Sequence, residues 1–117
     1  MVYHIIWCPK RRRKVLVGPV RDRLEQIIGG GAAENGWEII RLAIQPDHVP
    51  LFIRAHPNTL PSDIPRRIKG RSSHLLREAF AHLLKLPSLW TRSCLLSTAG
   101  NVSQAIIQRY LERHSKT

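Results

Sequence analysis

The order in which hydrophobic periodicity changes along the chain constrains its fold more than any other feature. Segments with apolar residues at every second position predict strands, and segments with apolar residues three to four positions apart predict helices. The order is strand, helix, strand, strand, helix, strand, and then a last helix. This order predicts an α+β, ferredoxin-like β-α-β-β-α-β fold with an antiparallel sheet, helices on one face and an appended C-terminal helix.

Four segments carry the strand pattern and are bounded by turn residues. The predicted strands are Val2 to Cys8, Trp37 to Gln45, His48 to Ala55 and about Leu89 to Ser97. In the third strand, alternation separates Val49, Leu51 and Ile53 from His48, Pro50, Phe52 and Arg54. We expect the second set to lie on the sheet face that the packed helices leave open.

Three segments carry the helix pattern. The first begins at Gly18-Pro19, and Gly29-Gly30-Gly31 is predicted to end or weaken it, since each glycine costs about 1 kcal/mol relative to alanine. The second begins at Ser62 or Asp63, and its apolar stripe is predicted to reach Leu84, with a break or kink at Gly70. The third follows a turn at Gly100-Asn101, with Ser103 as its N-cap.

Charge is the strongest bulk signal in residues 1–117, which we interpret as a single domain. Lys and Arg number 19 against 8 Asp and Glu, a formal net charge of +11. So large an excess favours a polyanionic partner, with nucleic acid first and an acidic membrane surface second. A charged face that only maintains solubility is the alternative, and the scarcity of nearby acidic residues disfavours it. The candidate DNA-binding residues are Lys10, Arg11, Arg12, Arg13, Lys14, Arg66, Arg67, Lys69, Arg71 and Arg92.

Nothing in the sequence indicates export, a membrane span or a small-molecule substrate. The apolar runs are far shorter than the roughly 20 residues of a spanning helix, and no leader pattern opens the chain. Cys8 and Cys94 lack zinc or disulfide spacing and are expected to be buried thiols in a reducing cytoplasm. No Walker loop, GxSxG or HExxH motif is present.

The candidate chemistry lies in two short segments. A His-hydrophobe-His triplet at positions 48 to 50 would offer two imidazoles to one divalent metal, but Pro50 has no ligand atom. On spacing alone, His48 is better explained as a strand-end histidine with ordinary hydrogen bonds. Tyr110 and His114 share a helix face because they are four residues apart. Tyr110 is either a nucleophile whose phenolate is stabilised or, more commonly for such a residue, a core aromatic.

Several stretches resemble the small HUH-type single-tyrosine transposases of bacterial and archaeal insertion sequences, which are related to REP-associated tyrosine transposases. The matching stretches follow the family's order over nearly the whole chain. They are Tyr3 to Lys10, Arg12 to Leu16, Pro46 to Val49 with Leu51, Lys69 to Ser73, Leu89 to Ser93, and Gly100 to Ser103 with Arg109 to Glu112.

The resemblance implies a metal-dependent homodimer that acts on single-stranded DNA hairpins at the ends of a mobile element. A tyrosine would attack the DNA to give a 5′-phosphotyrosine and a free 3′-OH, and its helix can come from the partner subunit. Carried over by position, Tyr110 is the nucleophile and His48 the first ligand of Mg²⁺ or Mn²⁺. The second strand histidine falls on Pro50, and the Gln that follows the tyrosine by four falls on His114.

These departures predict a weakly bound metal and impaired cleavage. Loss of one of three protein ligands weakens metal binding, and imidazole suits Mn²⁺ better than Mg²⁺. The alternative to a transposase with impaired activity is a degenerate module that binds hairpin DNA or RNA without cutting it. A basic structural protein of a ribonucleoprotein is a third, weaker hypothesis.

Overall fold

The computed structural model describes residues 1–98 and 103–115, which form four strands, three α-helices and two short 3-10 turns. The strands are β1 (Val2–Trp7), β2 (Glu38–Leu42), β3 (Val49–Arg54) and β4 (Leu95–Thr98). The α-helices are α1 (Gly18–Glu34), α2 (Asp63–Ala79) and α3 (Gln104–Ser115). The 3-10 turns cover Lys10–Arg12 and Ala81–Lys85.

All four strands belong to one antiparallel sheet in the order β2-β3-β1-β4. The central strand β1 pairs with β3 on one side, where Ile6 faces Pro50, and with β4 on the other, where Ile6 faces Leu95. The connections through α1 and α2 each skip one strand position, as the split β-α-β arrangement requires. The predicted α+β ferredoxin-like fold is therefore confirmed.

The main core lies between the sheet and the two long helices. Val49, Leu51 and Ile53 of β3 are fully buried, as the alternation of that strand predicts. β1 also contributes every second residue to this core, and α1 contributes a continuous apolar stripe. Their buried members are Tyr3, Ile5, Trp7, Val20, Leu24, Ile27 and Ile28.

The third helix packs on the opposite face of the sheet. Tyr110 and Leu111 of α3 form a second buried cluster with Ile6 and Cys8, and Leu95 and Ile107 pack against its rim. α3 therefore covers part of the sheet face that the sequence predicted to be open, and the rest of that face is uncovered. Ile106 N–H donates to Ser103 Oγ over 3.3 Å, which supports the predicted cap, whereas the predicted Gly100-Asn101 turn lies outside the described residues.

The prediction that three glycines end or weaken α1 is wrong. The helix continues through Gly29, Gly30 and Gly31 to Glu34. Arg71 of α2 crosses these glycines, since a Cβ on Gly31 would lie 3.4 Å from Arg71 Cδ, and its guanidinium pairs with Glu34. Tertiary packing of α2 on α1 therefore overrides the low helix propensity.

The second helix and fourth strand also differ from their predicted bounds. α2 runs through Gly70 without a break but ends at Ala79, and the 3-10 turn that follows leaves Leu84 59% exposed rather than in the core. The segment before β4 is irregular, and its Trp90 forms only an isolated bridge with Pro9. In the part of the chain that the structure describes, no helix is long and apolar enough to cross a membrane.

We predict that Gly29→Ala stabilises the fold by about 0.5–1 kcal/mol, because alanine reduces the conformational entropy of the unfolded chain and favours helix. A Cβ at Gly29 meets nothing within 4 Å. Gly36→Ala is the matched control and should destabilise, since Gly36 has φ +72. Urea unfolding measures both free energies, and a lower midpoint for Gly29→Ala would contradict the account of α1.

Candidate functional site

The open face of the sheet is built from two transverse rows of side chains. Strand register places Arg41 of β2 beside Phe52 of β3, which lies opposite His4 of β1. The next row contains Pro50 and Ile6. His48 precedes β3 and is held by an isolated bridge to Gln45. These side chains share one face because successive residues of a strand alternate.

Asp47 fixes the orientation of the His48 ring. Its Oδ1 lies 2.8 Å from His48 Nδ1, and its Oδ2 accepts a hydrogen bond of 2.8 Å from Arg12 Nε. Burial opposes ionisation of Asp47, but its hydrogen bond with His48 and the charge of Arg12 outweigh that effect and lower its pKa. With Nδ1 engaged, Nε2 is the nitrogen of His48 that remains for a ligand, an arrangement common among histidines that bind metals.

The turn that carries Arg12 has a strained backbone. Arg11 and Arg12 adopt φ values of 60 and 54, a left-handed conformation that costs non-glycine residues roughly 1–2 kcal/mol each. Arg12 of this turn forms the ion pair with Asp47. Such strain tends to occur at functional positions, where surrounding contacts maintain it.

Pro50 occupies a central strand without disrupting the ladder. Its carbonyl accepts from Ala43 N–H at 3.3 Å, which places its polar groups on the side of β2. β2 ends at Leu42, one residue before that contact. The missing N–H of Pro50 therefore faces a point where strand pairing is ending, which is where a sheet accepts proline.

Tyr110 lies in a different depression from His48 on the same side of the sheet. Its hydroxyl donates to the Ser93 carbonyl over 3.1 Å, and burial raises the pKa of Tyr110 to about 12. His114 Nε2 lies 2.9 Å from Ser93 Oγ, and its ring centroid is 4.7 Å from that of Tyr110. The sequence prediction that Tyr110 and His114 share a helix face is correct, and Tyr110 is also a buried packing residue.

Lys69 reaches the same carbonyl from α2. Its Nζ donates to Ser93 O over 3.2 Å and to Thr91 O over 2.6 Å, and burial lowers the pKa of Lys69. One acceptor thus receives both the tyrosine hydroxyl and an ammonium group. The phenol is protonated in this packing, because burial raises its pKa to about 12.

The predicted DNA-binding residues divide into two groups. The run from Lys10 to Lys14 lies next to α3 and is largely exposed, apart from Arg12. The second group makes contacts within the protein. Arg66 pairs with Asp63, Arg67 with Asn35, Arg71 with Glu34 and Lys69 with the backbone before β4.

Arg92 is exposed and lines a groove with Arg66 and Lys69. Two further arginines of α3, Arg109 and Arg113, line the depression that contains Tyr110. Sequence reasoning did not select these two, although their positions next to and three residues after Tyr110 are visible in the sequence.

The residues present fit only an incomplete metal site. Among residues 1–98 and 103–115, no three His, Cys, Asp or Glu side chains form a group that could hold an ion. His48 fits one ligand position, Pro50 provides no donor atom, and His114 is engaged at Ser93. The predicted ligands His48 and His114 line separate parts of the face, so joining them requires α3 to move.

Comparison with known proteins identifies the lineage. The family model described as "Transposase IS200 like" matches residues 1–114. The chain belongs to the IS200-like transposase family. It is 38% identical to the ISDra2 transposase TnpA of Deinococcus radiodurans, over 97% of this chain and 84% of that protein. It is 27% identical to the transposase for insertion sequence element IS200 of Salmonella typhimurium, over 94% of this chain and 74% of that protein.

Two solved structures support the fold of this family member. A crystal structure of a candidate transposase from Deinococcus radiodurans R1 superposes with a TM-score of 0.91 and 36% identity, covering 100% of this chain and 92% of that one. A REP-associated tyrosine transposase bound to a REP hairpin gives a TM-score of 0.62 at 16% identity, covering 97% of this chain and 61% of that one. The second likeness is one of fold alone.

We predict that the protein loses stability at alkaline pH because Tyr110 ionises more easily in the unfolded chain than in the folded one. Its folded-state pKa is about 12 against an ordinary value of 10.0, so the folded state holds the phenol proton more tightly. That contribution is complete below pH 10.0 and is lost as pH rises toward 12. Urea unfolding across this interval should show a smaller loss of stability in Tyr110→Phe than in the wild type. Equal losses would show that Tyr110 is not buried as described.

Proposed function

We propose that this transposase binds single-stranded DNA hairpins at insertion-sequence ends and cleaves and rejoins the strand through Tyr110. The observation that carries the proposal is that the Tyr110 hydroxyl lies in a depression lined by Arg109 and Arg113, which belong to the same helix and move with it. A tyrosine among cations is suited to attack a phosphodiester, since both the phenolate and the phosphate are anionic. Family membership supplies DNA as the substrate.

The proposed reaction exchanges one phosphoester bond for another. The Tyr110 hydroxyl loses its proton to solvent, and the phenolate oxygen attacks the phosphorus. The bond to the 3′ oxygen breaks, and that oxygen takes up a proton from solvent to become a 3′-OH. A 5′-phosphotyrosine remains on the protein. Rejoining is the reverse step, in which a 3′-OH attacks the phosphotyrosine and Tyr110 leaves. No external energy source is needed because the phosphoester is conserved.

Tyr110 must leave its resting position before it can react. The Ser93 carbonyl accepts a hydrogen bond from the Tyr110 hydroxyl, and burial raises the pKa of Tyr110 to about 12, so the phenolate is scarce at neutral pH. A shift of α3 that releases Tyr110 from Ser93 would also free His114 from Ser93 Oγ. Both groups could then approach His48 together, because they lie on the same helix face.

A homodimer gives this movement a natural route. Departure of α3 would expose Ile6, Cys8 and Leu95, which it now covers. The α3 of a second copy could cover these apolar residues in its place, as in domain swapping. We propose that the dimer exchanges α3 in this way, so that Tyr110 of one subunit acts on DNA held near His48 of the other.

The proposed metal site consists of His48 and His114 and binds Mg²⁺ or Mn²⁺ weakly. A divalent cation held there would polarise the scissile phosphate. His48 would bind through Nε2 because Asp47 engages its Nδ1. Pro50 leaves this site one protein ligand short, which is the basis for proposing impaired cleavage.

We predict that Tyr110→Phe abolishes a covalent protein–DNA adduct formed on a hairpin oligonucleotide in the presence of Mn²⁺. Phenylalanine keeps the buried ring but removes the attacking oxygen. The chain has two tyrosines, so Tyr3→Phe is the matched control and should retain the adduct. Denaturing gel electrophoresis of labelled DNA detects the product, and an adduct that persists in Tyr110→Phe excludes Tyr110 as the nucleophile.

We predict that Pro50→His raises Mn²⁺ affinity and nicking, since it adds an imidazole two positions from His48 on the same face. Asp47→Asn in the Pro50→His background should lower the Mn²⁺ affinity about 10–100-fold, because the carboxylate orients His48. Asp63→Asn is the control, as Asp63 pairs with Arg66 away from the site. Calorimetric titration measures the affinities, and no gain from Pro50→His would remove Pro50 as the cause of weak activity.

The second candidate is a module that binds hairpin nucleic acid without cutting it. The observation in its favour is that the described residues contain no complete metal-ligand group. Such a module would bind through phosphate contacts, so its affinity would fall steeply with salt concentration and be insensitive to a chelator. Adduct formation by the wild-type protein would exclude this candidate.

A further inference from the structure

A cavity of about 240 Å³ lies on the open face, where His48 and Pro50 of the proposed metal site line it together with groups that the proposed chemistry does not use. β1 and β3 contribute His4 and Phe52 to its wall, β2 contributes Arg41, and α3 contributes Gln104 and Ile107. The cavity is therefore enclosed by both the sheet and the helix that packs on it.

His4 is the unexplained group in this cavity. Its side chain is only 7% exposed, yet among the described residues its Nδ1 has no hydrogen-bond partner. Burial lowers the pKa of His4, so the ring is neutral at physiological pH. Buried polar nitrogens are nearly always hydrogen-bonded in folded proteins, and an exception indicates a missing partner such as a ligand or water.

The groups around His4 identify the chemistry of the missing partner. The His4 and Phe52 rings stack at 4.1 Å and 13°, which gives the wall a planar aromatic surface. Gln104 can supply both a donor and an acceptor, and Arg41 supplies a planar cation at the exposed side. Aromatic surface combined with amide, imidazole and guanidinium groups recognises unpaired nucleobases by stacking and edge hydrogen bonds.

A metal ion does not explain the free nitrogen. His4 lies opposite Phe52, and Phe52 follows His48 by four positions along β3. Four strand positions correspond to about 13 Å, so His4 and His48 cannot bind one ion.

We propose that this cavity binds one unpaired nucleobase of the DNA strand that crosses the open face. The inference rests on the proposed function and adds to it a position at which the protein reads a base directly. His4 is the specificity-determining residue through its imidazole nitrogens, which a base reaches by turning the ring from its closed resting position, and Phe52 stacks on that ring. The base would sit next to His48, close to the proposed position of the scissile phosphate.

The test uses His4→Phe, which retains an aromatic ring on Phe52 but removes both nitrogens. Because it removes an unpaired buried polar atom, its urea midpoint should equal or exceed that of the wild type. His74→Phe, at an exposed position on α2, is the matched control. The four deoxynucleosides and inorganic phosphate are titrated separately against each protein while NMR follows the His4 ring signals of the wild type and control.

At least one deoxynucleoside should shift the His4 signals saturably, and phosphate should not. In parallel, hairpin oligonucleotides with an unpaired tail are scanned with single abasic sites. One abasic position should weaken wild-type binding by about tenfold, as expected for loss of a good hydrogen bond with its stacking, and should have no such effect in His4→Phe.

The two proposals fail in distinguishable ways. Hairpin binding that is equal at all abasic positions would overturn the base-reading site and leave the proposed function standing. Absence of hairpin binding would overturn the proposed function. The deoxynucleoside titration would still show whether the cavity binds a nucleobase. His4 signals that no deoxynucleoside moves, or that phosphate moves equally, would show that the cavity holds solvent or an anion rather than a base.

Discussion

Burial of β1 on both faces is the constraint on which the rest of the structure depends. Tyr3, Ile5 and Trp7 pack under α1 and α2, while Ile6 and Cys8 pack under α3. Parallel sheets are usually covered on both sides, whereas an antiparallel sheet can leave one face to solvent. Here the second cover is a single helix that also bears Tyr110, the proposed nucleophile, so the same contacts that cover the sheet also position that hydroxyl.

The Ser93 carbonyl links the two halves of the site. It accepts from Tyr110 of α3 and from Lys69 of α2, so the two helices on opposite faces of the sheet meet at one backbone oxygen. A phosphate that attracted the Lys69 ammonium would weaken its hydrogen bond to the Ser93 carbonyl. The Tyr110 hydroxyl would then share that oxygen with one donor fewer. The resting contact of the tyrosine is thus sensitive to charge on the α2 side.

The succession of strands and helices along the chain, and the face to which each strand residue points, followed from the sequence because hydrophobic periodicity is a local property. The burial of Val49, Leu51 and Ile53 opposite His48 is an example. Features that depend on contacts between distant segments could not be obtained in this way. Continuity of α1 through Gly31 depends on Arg71, and exposure of Leu84 depends on where α2 ends. The same applies to the candidate site: the sequence predicted Tyr110 as a candidate nucleophile, but its hydrogen bond to Ser93 and the contact of Asp47 with Arg12 depend on tertiary packing.

Pro50 has a consequence for how this lineage can change. Its carbonyl is satisfied by Ala43 and its missing donor faces the end of β2, so the sheet places no hydrogen-bonding demand on the nitrogen of that residue. A position free of such demands can exchange proline for another residue with little change in the backbone. For the metal site proposed above, gain or loss of a ligand at position 50 would therefore be independent of folding, and no intermediate sequence between the two forms would need to be unfolded.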